Sequence, residues 1–80
     1  MDLLHPRCAG LDVHKETVVA CVRIVKDGQV ERLVRTFGTT TARLLELAAF
    51  LAEHGVTHVA LEATGIYWRP VWHILEPEGF

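Results

Sequence analysis

The 80-residue sequence predicts a mixed α/β fold with the element order β-β-β-α-β-α. Three features predict it: an apolar run at residues 8–14, a Val-rich hairpin pattern over residues 17–37, and a helical pattern between that hairpin and another apolar run. Two strands joined by a crossover helix in one sheet are parallel. We therefore expect the first and fourth strands to be parallel neighbours.

The first three strands follow from the local patterns. "CAGLDVH", residues 8–14, is typical of a central strand that is covered on both faces. Residues 17–25, "TVVACVRIV", are too rich in β-branched side chains for a comfortable helix. Asp27 and Gly28 predict a tight hairpin turn, because both tolerate positive φ angles. "VERLVRTF", residues 30–37, alternates charged and apolar residues, as an edge strand does.

The first helix is predicted after "GTTT", residues 38–41, whose hydroxyls can cap its first turn. Gly55 is expected to end it, as a glycine after the last turn does. Phe50 falls on the polar side, where we expect contact with a neighbouring domain or subunit. The apolar face consists of Leu44, Leu47, Ala48, Leu51 and Ala52, opposite Arg43, Glu46 and Glu53.

A fourth strand over residues 56–63, "VTHVALEA", and a second, short helix complete the pattern. "TGIYW" forms the loop between them. Pro70 is acceptable in that helix because it falls in the first turn. The apolar face of the helix consists of Trp68, Val71, Trp72 and Leu75, and we assign Trp72 to packing.

Composition limits the class of protein. Half of the residues are hydrophobic, which favours a folded core, and the net charge of −2 excludes a basic module that coats nucleic acid. The sequence has two cysteines in strand-like runs and shows no secretory signal or membrane-spanning stretch. These features favour a location in a reducing cytosol. The sequence stops soon after a helix-like segment, so we interpret it as part of a longer protein.

Two acids stand at the ends of the predicted parallel strands. Asp12 is late in the first strand and Glu62 is at the end of the fourth. Ligands of open α/β sheets bind at this carboxyl edge. Paired carboxylates favour Mg²⁺ or Mn²⁺, and two such ions serve phosphodiester chemistry. The alternative is structural: Asp12 would be satisfied by an Arg, Lys15 or backbone amides, and Glu62 by solvent.

The motifs "GLDVHKETVVACV" and "ALEATGIYWRPVWHILEPEGF" together resemble the start of the insertion-sequence-110 type of DEDD transposases. The resemblance implies a RuvC-like domain of the ribonuclease-H-like fold, here cut off before its last strand or strands and helix. Residues 1–80 would be the amino-terminal portion of that catalytic domain.

The resemblance also implies an activity. Such enzymes cut and rejoin DNA strands with Mg²⁺ or Mn²⁺ in a two-ion site, using four acids. The first two correspond to Asp12 and Glu62, as catalytic residues and metal ligands, and the last two would follow residue 80. The resemblance also implies a downstream serine nucleophile, a guide RNA, a homo-oligomeric assembly and a location on the bacterial nucleoid in the cytoplasm. The isolated segment is expected to be inactive.

Five further residues are candidate nucleic-acid contacts. His14 and Lys15 follow Asp12 and can position a phosphate or water, or form a partly solvated strand end. Thr64 can cap the second helix, and Tyr67 and Trp68 can stack on bases or pack in a core.

Two other residue patterns carry less information about function. The arginines at 23, 32 and 35 predict a mildly basic face on the hairpin. The cysteines and histidines lack the spacing of a zinc site.

Two other functions fit the same pattern. An actin-like or sugar-kinase-type nucleotide-binding domain begins with similar strands and an early Asp, but it needs glycines after the acid, where this chain has Val13, His14 and Lys15. A non-catalytic dimerisation module would use an unfinished sheet edge.

Overall fold

The computed structural model describes residues 6–63 and 65–80. The predicted element order is confirmed, and one 3-10 turn follows the last helix. The elements are the strands β1 (Arg7–Val13), β2 (Thr17–Lys26) and β3 (Gln29–Gly38), the helix α1 (Thr41–Glu53), the strand β4 (His58–Ala63), the helix α2 (Trp68–Leu75) and the 3-10 turn Glu76–Glu78. The strands form one mixed sheet in the order β3-β2-β1-β4, in which β1 is antiparallel to β2 and parallel to β4.

The hairpin between β2 and β3 forms as its turn residues require. Asp27 has a φ of 53° and Gly28 a φ of 77°, and these left-handed angles match the twist of the flanking strands. β3 lies at the edge of the sheet and is mostly exposed, which confirms its prediction as an edge strand.

The core lies between one face of the sheet and the two helices. Alternate residues of β1 and β2 face the helices and are buried, and α1 contributes most of the remaining apolar side chains. Complete burial of a side chain such as Leu51 stabilises the fold by about 1.5–3 kcal/mol. The buried residues are Ala9, Leu11, Val13, Val18, Ala20, Val22, Ile24, Phe37, Leu44, Leu47, Ala48, Phe50, Leu51, Val56, Val71 and Leu75.

The prediction that β1 is covered on both faces is wrong. Gly10 and Asp12 are exposed, while Ala9, Leu11 and Val13 are buried, so only one face of the strand is covered by the described residues. The carboxylate of Asp12 therefore remains in contact with solvent. Its position within an apolar run therefore carries no cost of burying an unpaired carboxylate, and this position alone does not indicate a bound cation.

α1 begins and ends as predicted, but its buried face is rotated. The Thr40 hydroxyl accepts a hydrogen bond from the backbone N–H of Arg43, and Gly55 follows the helix with a φ of 67°. Phe50 is buried instead of lying on the polar side, whereas Ala52 is exposed.

The cause of this rotation lies in β3. The Phe50 ring packs 5.5 Å from the ring of Phe37, and the guanidinium of Arg35 lies 5.1 Å from the Phe37 ring and 5.6 Å from the Phe50 ring. The rings of His54 and Phe50 form a T-shaped pair, with 4.8 Å between the ring centres. Arg35 thus points to the helix-covered side of the sheet, and the predicted basic face of three arginines is wrong for this residue.

The segment after α1 is tied to β1. The guanidinium of Arg7 donates a 2.7 Å hydrogen bond to the carbonyl of His54, which satisfies an acceptor at the end of the helix. The backbone N–H of Thr57 donates to the carbonyl of Arg7 at 3.0 Å. These two bonds bring the chain alongside β1, so β4 begins as its parallel neighbour.

α2 covers the β4 side of the core with Val71 and Leu75. Pro70 lies in the first turn as predicted, where its missing N–H leaves no helical bond unmade. The assignment of Trp68 and Trp72 to the packed face is wrong, because the two residues are 38% and 51% exposed. No helix among residues 6–63 and 65–80 is long and apolar enough to cross a membrane.

Candidate metal centre

The parallel register of β1 and β4 pairs Asp12 with Glu62. Paired residues of neighbouring strands project to the same face, and their backbones lie about 4.8 Å apart. Both side chains are therefore on the face of the sheet that the two helices leave open. They stand near the carboxyl ends of both strands, as the sequence predicts.

Both carboxylates are accessible from solvent. The side chain of Asp12 is 61% exposed, and Glu62 is exposed as well. They line one shallow cavity of about 290 Å³, whose floor is made of small and apolar residues. The lining consists of Gly10, Leu11, Asp12, Val19, Cys21, Ala60 and Glu62. Space for an ion and its waters is therefore available beside both acids.

His14 contacts the first of these acids. Its Nε2 lies 3.0 Å from Oδ2 of Asp12. The backbone of the loop that carries His14 is fixed at two points, because its N–H donates to the Thr17 carbonyl at 2.8 Å and the Thr39 hydroxyl donates to the Lys15 carbonyl at 3.0 Å. The backbone that carries the imidazole is thus fixed at the end of β1, next to Asp12.

The open face is arranged in rows across the four strands. The strand registers place Thr36, Val19, Asp12 and Glu62 in the first row, Val34, Cys21, Gly10 and Ala60 in the second, and Arg32, Arg23, Cys8 and His58 in the third. Within these rows the two acids thus lie at one end and the two arginines at the other, with small or apolar residues between. Arg23 and Arg32 share the face as predicted.

The donor set is suited to a hard cation but is small. Carboxylate oxygens are the ligands that Mg²⁺ and Mn²⁺ prefer, and two of them are adjacent here. Within the described ranges, no group of three or more His, Cys, Asp or Glu side chains is placed to hold a metal ion. Asp12 and Glu62 fit one side of a divalent-metal site.

The other predicted contacts lie at two places. Lys15 is exposed in the loop after β1, close in sequence to Asp12. Tyr67 and Trp68 are exposed at the start of α2, where Tyr67 precedes the helix without a side-chain cap. Thr64 lies outside the described residues.

Sequence reasoning missed the exposed strip on α2. Trp68 and Trp72 are four residues apart, beside Arg69 and His73, and these four residues line a cavity of about 570 Å³. The guanidinium of Arg69 lies 5.8 Å from the centre of the Trp68 ring. The alternation of aromatic and basic residues in "WRPVWH" is the signal that could have indicated it.

A larger cavity, of about 660 Å³, does not coincide with the carboxylate pair. It lies at the opposite end of the sheet, around Arg7, Lys26, Glu31 and Glu53. Its charges are of both signs and it is open to solvent. The chemistry of the donor groups, and not cavity size, therefore identifies the candidate site.

Comparison with solved structures supports the α/β fold. The chain is similar to the Ppx/GppA enzyme of Aquifex aeolicus, with a TM-score of 0.59 and 21% identity over 88% of this chain and 30% of that one. Another structure, the type II variant of the Aquifex aeolicus Ppx/GppA phosphatase, gives a TM-score of 0.60 at 21% identity, with the same coverage of both chains. The chain thus spans about 30% of the length of these proteins. At this identity the likeness shows the fold alone.

Comparison of the sequence with known families is more specific. No curated protein matches it. The profile of a transposase family, the DEDD transposases of the insertion-sequence-110 type, matches residues 9–80. This match begins just before Asp12 and includes Glu62. The chain therefore belongs to the insertion-sequence-110 type of DEDD transposases.

Proposed function

We propose that Asp12 and Glu62 are two of the four catalytic acids of a DNA transposase and that they bind its divalent metal ions. The observation that carries the proposal is the register that pairs these two residues on the open face of the sheet. Carboxylates on paired residues of neighbouring strands repel each other, and a cation between them removes the repulsion. Membership of a transposase family supports DNA as the substrate.

The residues of this chain have distinct roles in that site. Asp12 and Glu62 hold Mg²⁺ or Mn²⁺ ions, of which the complete site takes two. Bound ions supply positive charge to the attacking and leaving oxygens of a DNA phosphodiester. Lys15, in the loop fixed by Thr39, offers an ammonium group to a neighbouring phosphate.

The rest of the centre comes from elsewhere in the proposed domain. We assign residues 1–80 to the amino-terminal part of a RuvC-like, ribonuclease-H-like catalytic domain. The complete transposase supplies the other two acids, the nucleophile for strand transfer, the guide RNA contacts and the homo-oligomeric assembly. It acts on DNA in the bacterial cytoplasm. The 80-residue chain alone is inactive in DNA cleavage, because it supplies only half of the acids.

Nucleic acid has two contact points in this proposal. His14 and Lys15 lie beside the carboxylates, and Thr64, Tyr67 and Trp68 follow Glu62 along the chain. Tyr67 and Trp68 expose aromatic surface, which stacks on unpaired bases independently of their sequence.

The metal site is tested by nuclear magnetic resonance of the ¹⁵N-labelled 80-residue chain. Mn²⁺ broadens amide signals close to its binding site, so weak binding is detectable residue by residue. We expect broadening centred on Asp12 and Glu62, and its loss in Asp12→Asn and Glu62→Gln. The matched controls are Asp27→Asn and Glu78→Gln, which remove exposed acids elsewhere. Equal broadening in all four variants would exclude the site.

The catalytic role is tested in a transposase polypeptide that carries this segment. We expect Asp12→Ala and Glu62→Ala to abolish cleavage of element-end DNA while the protein stays folded by circular dichroism. Cleavage at the wild-type rate in either variant would contradict the role.

The likeness to Ppx/GppA phosphatase structures favours one second candidate, a phosphate-binding or nucleotide-binding domain. Such a domain would bind phosphate or ATP through backbone amides after Asp12. Val13 and His14 carry side chains where a phosphate loop uses glycine. Amide shifts at residues 13–16 on addition of ATP, without Mn²⁺ broadening at the acids, would favour this candidate.

A further inference from the structure

The carboxylate of Asp12 has unequal neighbours on the open face. Across β2 its partner is Val19, which offers no hydrogen bond, and across β4 its partner is Glu62, which repels it. His14, two residues further along the same face, contacts Oδ2 at 3.0 Å. Among the described residues, this imidazole makes a polar contact with the Asp12 side chain.

The position of His14 is itself restrained. Its backbone N–H is bonded to Thr17, and the Thr39 hydroxyl holds the next residue of the loop. The ring therefore extends from a backbone that these two hydrogen bonds restrain. A donor held in this way restricts the rotation of the carboxylate that it contacts.

We infer that His14 is a positioning residue for Asp12: its Nε2–H binds Oδ2 and thereby directs Oδ1 toward a divalent cation shared with Glu62. This inference rests on the proposed function and deepens it. Outer-shell partners of this kind typically change metal affinity by about tenfold or more, and the exposure of this pair, 54% for the His14 side chain, lowers the effect expected here to about tenfold or less.

The experiment compares His14→Ala with the conservative His14→Gln, whose amide N–H can replace the imidazole donor. His73→Ala, which removes an exposed histidine from α2, is the matched control. Mn²⁺ affinity is measured by amide broadening in the labelled chain. We expect affinity to fall about three- to tenfold in His14→Ala, to recover in His14→Gln, and to remain unchanged in the control.

A second measurement needs no metal. The Hα–Hβ scalar couplings of Asp12 report whether its side chain occupies one rotamer or averages over several. We expect one rotamer in the wild type and in His14→Gln, and averaging in His14→Ala. Averaged couplings in the wild type, or no change in His14→Ala, would overturn the inference. So would Mn²⁺ affinity that is unchanged or higher in His14→Ala.

The two proposals fail in different ways. If Asp12→Asn and Glu62→Gln bind Mn²⁺ as the wild type does, the proposed metal site is wrong, and the couplings still decide whether His14 positions Asp12. If those variants lose Mn²⁺ and His14→Ala does not weaken it, the metal site stands and the role of His14 is wrong.

Discussion

The pairing of Asp12 with Glu62 has a cost that can be measured in the metal-free chain. Two unit charges about 5 Å apart repel by about 0.8 kcal/mol in water and by about 3 kcal/mol at an effective dielectric of ~20. Both side chains are exposed, so the lower value applies. We therefore expect Glu62→Gln to raise the free energy of unfolding by about 0.5–1 kcal/mol. This substitution leaves the His14–Asp12 contact in place.

The assay is thermal unfolding by circular dichroism, with a chelator and at low ionic strength. For a domain of this size, 1 kcal/mol shifts the Tm by about 4–8 °C, so we expect an increase of about 2–8 °C. At 1 M salt the screening length falls to about 3 Å and the difference should vanish. When Mg²⁺ replaces the chelator at low ionic strength, it should stabilise the wild type more than Glu62→Gln, because a ligand stabilises the state that binds it.

Glu78→Gln is the control, since it removes an exposed carboxylate outside the pair. If Glu62→Gln changes the Tm no more than this control at low salt, the two carboxylates do not lie close together. The same conclusion would follow from a difference that persists at 1 M salt.

Three further predictions concern the core, the end of α1 and the strip on α2. Leu51→Ala should lower the free energy of unfolding by about 2–5 kcal/mol in urea titration, because Leu51 is fully buried. Leu45→Ala, at an exposed site of the same helix, should lower it by less than about 0.5 kcal/mol. Similar decreases for both variants would refute the packing of Leu51 in the core. Gly55→Ala should lower the free energy of unfolding by about 1–2 kcal/mol, because φ is 67° at this position and the added Cβ would lie 3.2 Å from Cδ of Arg7. An unchanged free energy in the same titration would show that the left-handed angle is not required. Single-stranded DNA should quench the fluorescence of the chain, whose two tryptophans both lie on α2, and equal quenching by free phosphate would argue against base stacking.

The sequence could predict the elements because their signals are local. The turn at Asp27 and Gly28, the Thr40 cap and the glycine after α1 depend on neighbouring residues only. Phe50 could not be placed in this way, since its burial depends on Phe37 and Arg35 in β3.

The open face could not be predicted for a different reason. Cys8 and Gly10 count as apolar in "CAGLDVH", so this alternating strand resembles a continuous apolar run. Small residues such as these can face solvent at little cost: Gly10 is exposed and Cys8 is half-buried.

The position of the candidate site could be predicted only in part. A crossover helix makes β1 and β4 parallel, which brings the acids to one edge. Register is a separate matter, because a shift of one residue would send the two side chains to opposite faces. The tertiary bonds between Arg7 and the 54–57 segment fix that register, and they leave no periodic signal in the sequence.

The two acids stand on backbones of unequal stiffness. β1 is hydrogen-bonded to a strand on each side, whereas β4, as an edge strand of the described sheet, is bonded on one side only. Amide protons on the outer side of β4 should exchange faster than those of β1, and local opening of β4 requires less free energy than opening of the sheet centre. In the proposed metal site, Asp12 would therefore stand on the stiffer strand and Glu62 on the strand that adjusts more easily when an ion or a substrate binds.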